Sequence, residues 1–251
     1  MAATLLRIAH GYGNRRARIA QAQAAKVDRI EADLRWWDGQ IWVRHEHRIR
    51  RLPWLPLLYN KNLRGIHRAG PWAMPLGSLW LRLDLARLSF TELLGRVTGP
   101  AGLMLDLKRD SHSPETARRF VAAVFAELDS SRFSAPVDFC GAWQYLDIVR
   151  DLRPAQSAHY SVDSAGDWDA AEARLGGPRQ LPKITLKLSL ASEERRVRLR
   201  QAGVPFVVWD VATRAEADHA ITLGAEGLIA DDLAMLSSLA GLTVARPGGS
   251  Q

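Results

Sequence analysis

Eight short apolar runs, beginning at Leu5, Ile30, Leu103, Val137, Ala158, Ile184, Phe206 and Leu228, recur along the 251 residues with helical patterns between them. The runs are strand-length and rich in Val, Ile, Leu and Phe, as strands covered on both faces are. Residues 15–26 space Ile19, Ala20, Gln23 and Val27 at helical intervals, and Ser113-Pro114-Glu115 opens a helix through Leu128 with proline in its first turn. Residues 142–152, 168–175, 192–202 and 214–223 carry further helical patterns, and the last helix begins near Ala234. Strand, helix and strand in succession require a parallel sheet. Eight such units in a chain of this length predict an α/β fold, a (β/α)8 TIM barrel formed by residues 1–251 as a single domain. A doubly wound open sheet is the competing architecture. It more often shows a Gly-rich dinucleotide turn after its first strand, and His10-Gly11-Tyr12-Gly13-Asn14 is not one.

The second and third runs lie roughly sixty residues apart, far beyond an ordinary connecting loop. Residues 46–88 are therefore expected to be an insertion between the second and third strands, followed by a helix over 91–97. The segment holds eight basic residues against the two acids Glu46 and Asp84, nearly all of the net charge of +7. Trp54, Trp72 and Trp80 sit there among prolines and leucines. Two readings stand side by side: a rim subdomain with a small core of its own, and a surface making peripheral membrane contact, since Trp beside Arg and Lys suits lipid headgroups.

The second strand carries the most demanding chemistry. Glu31 and Asp33 are two apart in Arg29-Ile30-Glu31-Ala32-Asp33-Leu34, so both carboxylates face the same side. Two acids on the inner face of an apolar strand are costly unless neutralised, and a divalent cation with oxygen ligands is the simplest neutraliser. Asp38-Gly39 then reverses the chain, and Ile41-Trp42-Val43 returns to deliver His45 near those acids. In a barrel the carboxyl ends of the strands form the mouth. The strand ends supply His10, Glu31, Asp33, Asp106, Lys108, Cys140 and Trp209, with His45 just after the second strand, and Asn14 is a plausible helix cap.

The spacing His10…Asn14…Glu31-x-Asp33…Asp38-Gly39…His45…Asp106-x-Lys108 resembles the glycerophosphodiester phosphodiesterase family, within the superfamily of phospholipase C-like barrels. The tail resembles the family's closing pattern: Val207-Val208-Trp209, then Gly224-Ala225-Glu226-Gly227-Leu228-Ile229-Ala230-Asp231-Asp232. The resemblance implies metal-dependent hydrolysis of glycerophosphodiesters, to glycerol 3-phosphate and an alcohol, or of lysophospholipids. Glu31, Asp33 and Asp106 would bind Mg2+ or Ca2+, and His10 and His45 would act as general acid and base. Lys108, Trp209 and Asn14 would contact the substrate.

Four positions depart from the family's pattern: Gly11 stands where an arginine usually follows the first histidine, Gly13 where a glutamate precedes the asparagine, Asp106 where glutamate is commoner, and Cys140 where serine follows the fourth strand. The first and third changes also resemble the sphingomyelinase D/phospholipase D branch, which implies an alternative reaction through a cyclic phosphate. A further alternative is an inactive barrel that binds anions or membranes. Against it, a binding module has no need for the complete set of acids, histidines and lysine. Nucleic acid is not expected as a partner, because the high pI of about 10.1 is its sole support and no nucleic-acid module surrounds the basic segment. One cysteine excludes an intrachain disulfide, and the first ten residues lack the pattern of a signal peptide, so the expected location is cytoplasmic with peripheral contact at the membrane.

Overall fold

The computed structural model describes residues 2–45, 88–110 and 112–245, together with the backbone course of the strands His47–Ile49, Leu52–Tyr59, Ala73–Leu76 and Leu79–Arg82. Eight parallel strands close on themselves in chain order: Leu6–Ala9, Arg29–Trp37, Gly102–Leu107, Val137–Gly141, Ser157–Val162, Lys183–Lys187, Phe206–Val211 and Gly227–Ala230. The first strand pairs with the eighth through Ile8↔Ile229 and with the second through Ala9↔Ile30, which completes the ring. All eight strands foreseen from the apolar runs are present, and the fold is the (β/α)8 barrel. Beyond the barrel, the ends of the described chain pair antiparallel, Ala2–Thr4 with Thr243–Ala245.

The helices lie outside the ring and their apolar faces make the larger core. Pro114–Ser130 shows why such a segment is helical: Ser113 caps it by accepting from the Thr116 amide, and Pro114 begins the first turn. Its buried Ala117, Phe120, Val121, Val124 and Phe125 follow the 3–4 spacing of one helical face. Each fully buried side chain of that size contributes roughly 1.5–3 kcal/mol from leaving water. Arg214–Thr222 is started by a complete capping box, Thr213 with Glu216. The helix Arg16–Ala24 differs from expectation: Arg15 is its cap residue, and its side chain makes no capping hydrogen bond. Asn14 instead belongs to the short 3-10 turn Tyr12–Asn14 and has another use.

Inside the ring the side chains are layered. A small apolar plug of Ile8, Met104, Cys140, Val207 and Ile229 occupies the middle. Carboxylates and histidine stand above it at the carboxyl ends, and a second polar group lies below.

The long second strand outruns the barrel. Past Asp33 it turns to an antiparallel partner, Gln40–Val43, with Trp36 opposite Ile41 and Trp37 opposite Gln40. Asp38 and Gly39 have φ of 52° and 77°, the two positive values that a two-residue hairpin turn needs. The insertion carries an antiparallel sheet ordered His47–Ile49, Leu52–Tyr59, Leu79–Arg82, Ala73–Leu76, separate from the barrel sheet among the described residues. The side chains of Trp54 and Trp80, all of Trp72, and the arginines of the segment lie outside what is described. The expected helix follows as Phe90–Arg96, capped by Ser89. No helix among the described residues is long and apolar enough to cross a membrane.

Candidate active site

Parallel register brings the acids together. Asp33 on the second strand lies opposite Asp106 on the third, and Glu31 is one inward position below Asp33. One oxygen from each of Glu31, Asp33 and Asp106 lies within 4.8 Å of the others. Glu31 and Asp33 are each only 3% exposed, so their charges need partners. Lys108, two residues beyond Asp106, supplies one: its Nζ is 2.7 Å from Asp33 Oδ1 and 2.5 Å from Asp106 Oδ2. The Asn14 amide supplies another. Its Nδ2 donates to Asp33 Oδ2, and its Oδ1 accepts from the Asp33 backbone N–H at 2.9 Å. Asn14 therefore fixes Asp33 by both ends of its amide.

Glu31 receives the backbone N–H of Gly11. Gly11 has φ of 65°, a left-handed conformation that costs a residue with a Cβ about 1–2 kcal/mol. At this position the chain directs a backbone donor, rather than an arginine side chain, at the cluster. Gly141 is set by space as well: a Cβ there would stand 2.3 Å from Asp106 Oδ1, and its φ is 109°. The fourth strand thus passes close under Asp106 because its last residue has no side chain.

The electrostatics follow from burial and neighbours. Desolvation, with Asp33 beside it, raises the Glu31 carboxyl to about 8. Asp33 is also penalised by burial, yet Lys108, His45 and His10 outweigh that and hold it well below the carboxylate range. Burial works against the Lys108 ammonium as well, but Asp106, Asp33 and Glu31 more than compensate and hold it protonated well beyond its ordinary range.

His10 lies at the end of the first strand with Nδ1 3.1 Å from Asp231 Oδ1. A carboxylate only accepts, so Nδ1 carries the proton, and Nε2 is not used in that bond. Desolvation opposes charge on this ring, but the Asp231 hydrogen bond and the charges of Glu31, Asp231 and Asp33 prevail and raise it to about 9. Tyr12 donates its hydroxyl to the Asp231 carbonyl at 2.9 Å, while Asp232 caps the final helix by accepting from Ala234 and Met235. The division of labour leaves the Asp231 carboxylate for His10.

His45 reaches the rim by the returning hairpin strand and is exposed. Its carbonyl accepts from Arg35 at 2.8 and 3.2 Å, and Arg35, 3% exposed, is itself anchored to Asp110 at 2.7 Å. The Arg44 amide bonds to the Asp33 carbonyl at 2.8 Å, which ties the His45 backbone to the acids. Trp209 lies near the end of the seventh strand, within the register shift between Val208 and Val211, where Asp210 takes φ of 68°. Such bulges re-aim a side chain. Lys187 Nζ stands 5.3 Å from the Trp209 ring centre, and the indole Nε1 is buried. Beside it, partial desolvation and the charges of Asp106 and Asp167 push Asp163 up to about 6.

The structure thus gathers Glu31, Asp33, Asp106, Lys108 and Asn14 in one cluster, with His10 and His45 within its field and Trp209 on the seventh strand of the same rim. Cys140 is not on the rim: its thiol lies in the apolar plug below, and burial raises its pKa further. Arg35 and Asp163 were not among the residues singled out from sequence, and Asp231 entered there only within the closing pattern, with no role assigned. Two of them, Asp231 and Asp163, directly follow the strands Gly227–Ala230 and Ser157–Val162. Reading one residue past each strand end finds both. Nothing local marks Arg35, whose role depends on Asp110 75 residues away.

No protein-family model matches the sequence, and no curated protein does. Solved structures do match in fold. A candidate glycerophosphoryl diester phosphodiesterase from Silicibacter pomeroyi superposes with a TM-score of 0.69 at 18% identity, over 94% of this chain and 92% of that one. A phosphodiesterase from Oleispira antarctica, in complex with the product sn-glycerol-3-phosphate, gives 0.68 at 14% identity over 94% and 96%. A glycerophosphodiester phosphodiesterase from Parabacteroides distasonis gives 0.67 at 14% identity, with the same coverage. This chain shares their barrel. At such identities the likeness is one of fold, and the residues at the mouth must carry any argument about chemistry.

Proposed function

We propose that this chain is a phosphoric diester hydrolase acting on glycerophosphodiesters, with a divalent cation held by Glu31, Asp33 and Asp106. The observation that carries the proposal is the packing of those three carboxylates within 4.8 Å at the mouth of this barrel. Hard oxygen donors suit Mg2+ or Ca2+, and burial together with the neighbouring Asp33 raises the Glu31 carboxyl, a penalty that a bound cation would relieve. Bound there, such an ion supplies Lewis acidity to the phosphoryl oxygens and offsets the charge that develops in displacement.

The protein's own groups cover the remaining steps. Lys108 adds a fixed positive charge at the phosphoryl position without releasing Asp33 and Asp106. His10, held protonated by Asp231, donates its Nε2 proton to the departing alkoxide. His45, exposed at the rim, accepts a proton from the attacking water. Trp209 offers an aromatic wall to the leaving alcohol, and Asn14 contributes by holding Asp33. The Oleispira structure, with sn-glycerol-3-phosphate bound to the same fold, supports glycerol 3-phosphate as product here. The single cysteine favours a cytoplasmic enzyme.

Leaving-group dependence tests the roles of the histidines. His10→Ala is expected to abolish turnover of an alkyl diester while retaining much of the turnover of bis(p-nitrophenyl) phosphate, whose leaving group needs no acid. His45→Ala is expected to slow both alike. Equal losses on both substrates for His10→Ala would contradict its assignment as the acid.

A further inference from the structure

His45 and Lys108 reach the mouth on different loops. His45 follows the hairpin strand Gln40–Val43, and Lys108 follows the third barrel strand, Gly102–Leu107. Arg35, two residues past Asp33 on the second strand, is bonded to both loops. Its Nε and Nη2 donate to the His45 carbonyl at 3.2 and 2.8 Å. Its Nη1 donates at 2.7 Å to Oδ1 of Asp110, two residues beyond Lys108. The planar guanidinium is therefore held along two of its edges.

Both ends of this bridge are anchored. The backbone N–H and carbonyl of Asp110 each lie 3.4 Å from the Tyr145 hydroxyl. Tyr145 is fully buried on the helix Trp143–Leu152, and its hydroxyl also lies 2.9 Å from His112 Nδ1. On the hairpin, the Arg44 amide donates to the Asp33 carbonyl at 2.8 Å. The chain is thus held on both sides of His45, and the imidazole moves only about its own side-chain bonds.

The burial of Arg35 shows what the bridge is for. A guanidinium 3% exposed has given up its water, which is costly unless its donors are used well. His45 is exposed, and water could satisfy a carbonyl at the rim without that cost. An ion pair with Asp110 alone would also leave the Nε edge elsewhere. Instead a buried cation is committed to one rim carbonyl, as the support of a side chain that must stand in one place is.

We propose that Arg35 is the positioning residue for His45. It locks the hairpin that carries His45 to the loop that follows Lys108, and so sets the imidazole relative to the lysine. The inference rests on the reading of His45 as the general base. Arg35 itself touches neither substrate nor reacting atoms. Without its fork Lys108 keeps Asp33 and Asp106, but the base loses its placement, and misplacement by about 1 Å costs roughly a hundredfold in rate.

A double-mutant cycle tests this, with glycerophosphocholine and bis(p-nitrophenyl) phosphate as substrates. The proteins are the wild type, Arg35→Lys, His45→Ala and the double variant. The lysine still pairs with Asp110, but its single nitrogen cannot span Asp110 and the His45 carbonyl. Arg35→Lys is expected to lower kcat on both substrates by roughly tenfold to a hundredfold and to leave KM within about twofold. The double variant is expected to match His45→Ala within about twofold, whereas a merely structural residue would add its loss in either background. Asp110→Asn, which leaves Arg35 a neutral acceptor, should give the same non-additive pattern with a smaller loss and guards against a folding defect. Hydrogen exchange gives a reading that needs no turnover: the Arg44 amide should exchange faster in Arg35→Lys at unchanged global stability. Equal losses with and without His45, an unaffected kcat, or unchanged Arg44 protection would overturn this inference alone. Full turnover by His45→Ala would overturn the base assignment and this inference with it.

Discussion

Lys108 and Asp33 face one another across the strand boundary at the barrel mouth, Nζ 2.7 Å from Oδ1, with both side chains largely out of water. The lysine also holds Asp106, so a single ammonium serves two carboxylates while Glu31 stands behind them with only a backbone amide. Replacing Lys108 by Met removes the ammonium from the buried Asp33 and the half-buried Asp106. In chelator the variant should lose about 3 kcal/mol of stability, the usual cost of breaking a buried ion pair. Added Mg2+ or Ca2+ should then raise its melting temperature more than that of the wild type, because the ion relieves that repulsion. Thermal melts of both proteins with and without metal read this directly. Equal metal responses would show that Lys108 and the metal do not share these ligands.

Glu31 predicts a pH dependence of the opposite sign to the ordinary acid. Its folded carboxyl lies near 8, above its value of 4.5 in the open chain. Between those values the folded state binds the extra proton, so metal-free stability should fall as pH rises from about 5 to 8 and then level off. Glu31→Gln removes that ionisation. In chelator the variant should match the wild type near pH 5 and exceed it increasingly up to pH 8, by several degrees in melting temperature. A wild type that gains on the variant over this window would contradict the reading of Glu31 as a buried, under-compensated acid.

Much of this arrangement was legible in the sequence because it is local. The alternation of Glu31 and Asp33, the Asp106-x-Lys108 spacing and the Asp38-Gly39 turn each lie within a few residues, and strand periodicity alone places them. The eight apolar runs likewise carry their own evidence. The contacts that escaped are those closed by the ring itself. His10 and Asp231 are 221 residues apart, and only the pairing of the first and eighth strands makes them neighbours. The floor cluster of Arg29, Asp138 and His159 draws on the second, fourth and fifth barrel strands, with Arg29 and Asp138 109 residues apart, so no local pattern announces it. Asn14 looked like a helix cap because asparagine often is one. The competing demand of Asp33 for a donor took its side chain instead.

The Asp231 carboxylate should account for most of the elevated His10 pKa. Its hydrogen bond and charge together favour the imidazolium, so Asp231→Asn should lower His10 from about 9 towards its ordinary 6.5 in the metal-free protein. Because a raised histidine stabilises the fold below pH 6.5 and ceases to do so as pH passes 9, the variant should be less stable only on the acid side of that window. Histidine ring signals followed by NMR against pH give the shift. A His10 midpoint unchanged by the substitution would mean that Glu31 and Asp33 set it instead.

Gly141 sits where any side chain must displace Asp106. With a Cβ at 2.3 Å from Asp106 Oδ1 and 2.7 Å from the Leu107 carbonyl, Gly141→Ala should move the third ligand of the cluster. Affinity for the divalent cation, measured by calorimetry, is expected to weaken roughly tenfold or more, since ligand geometry governs binding. Undiminished affinity would show that Asp106 is not a ligand.

The central claim is that the three carboxylates make this barrel a metal-dependent phosphodiesterase. Its most direct test is the release of glycerol 3-phosphate from a set of glycerophosphodiesters, including glycerophosphocholine, in Mg2+, in Ca2+ and in chelator, with Glu31→Gln as the comparison. Turnover that requires one of the ions, stops in chelator and falls by about a thousandfold in the folded Glu31→Gln variant is the predicted result. Turnover that persists in chelator, or that survives the loss of Glu31, would contradict it.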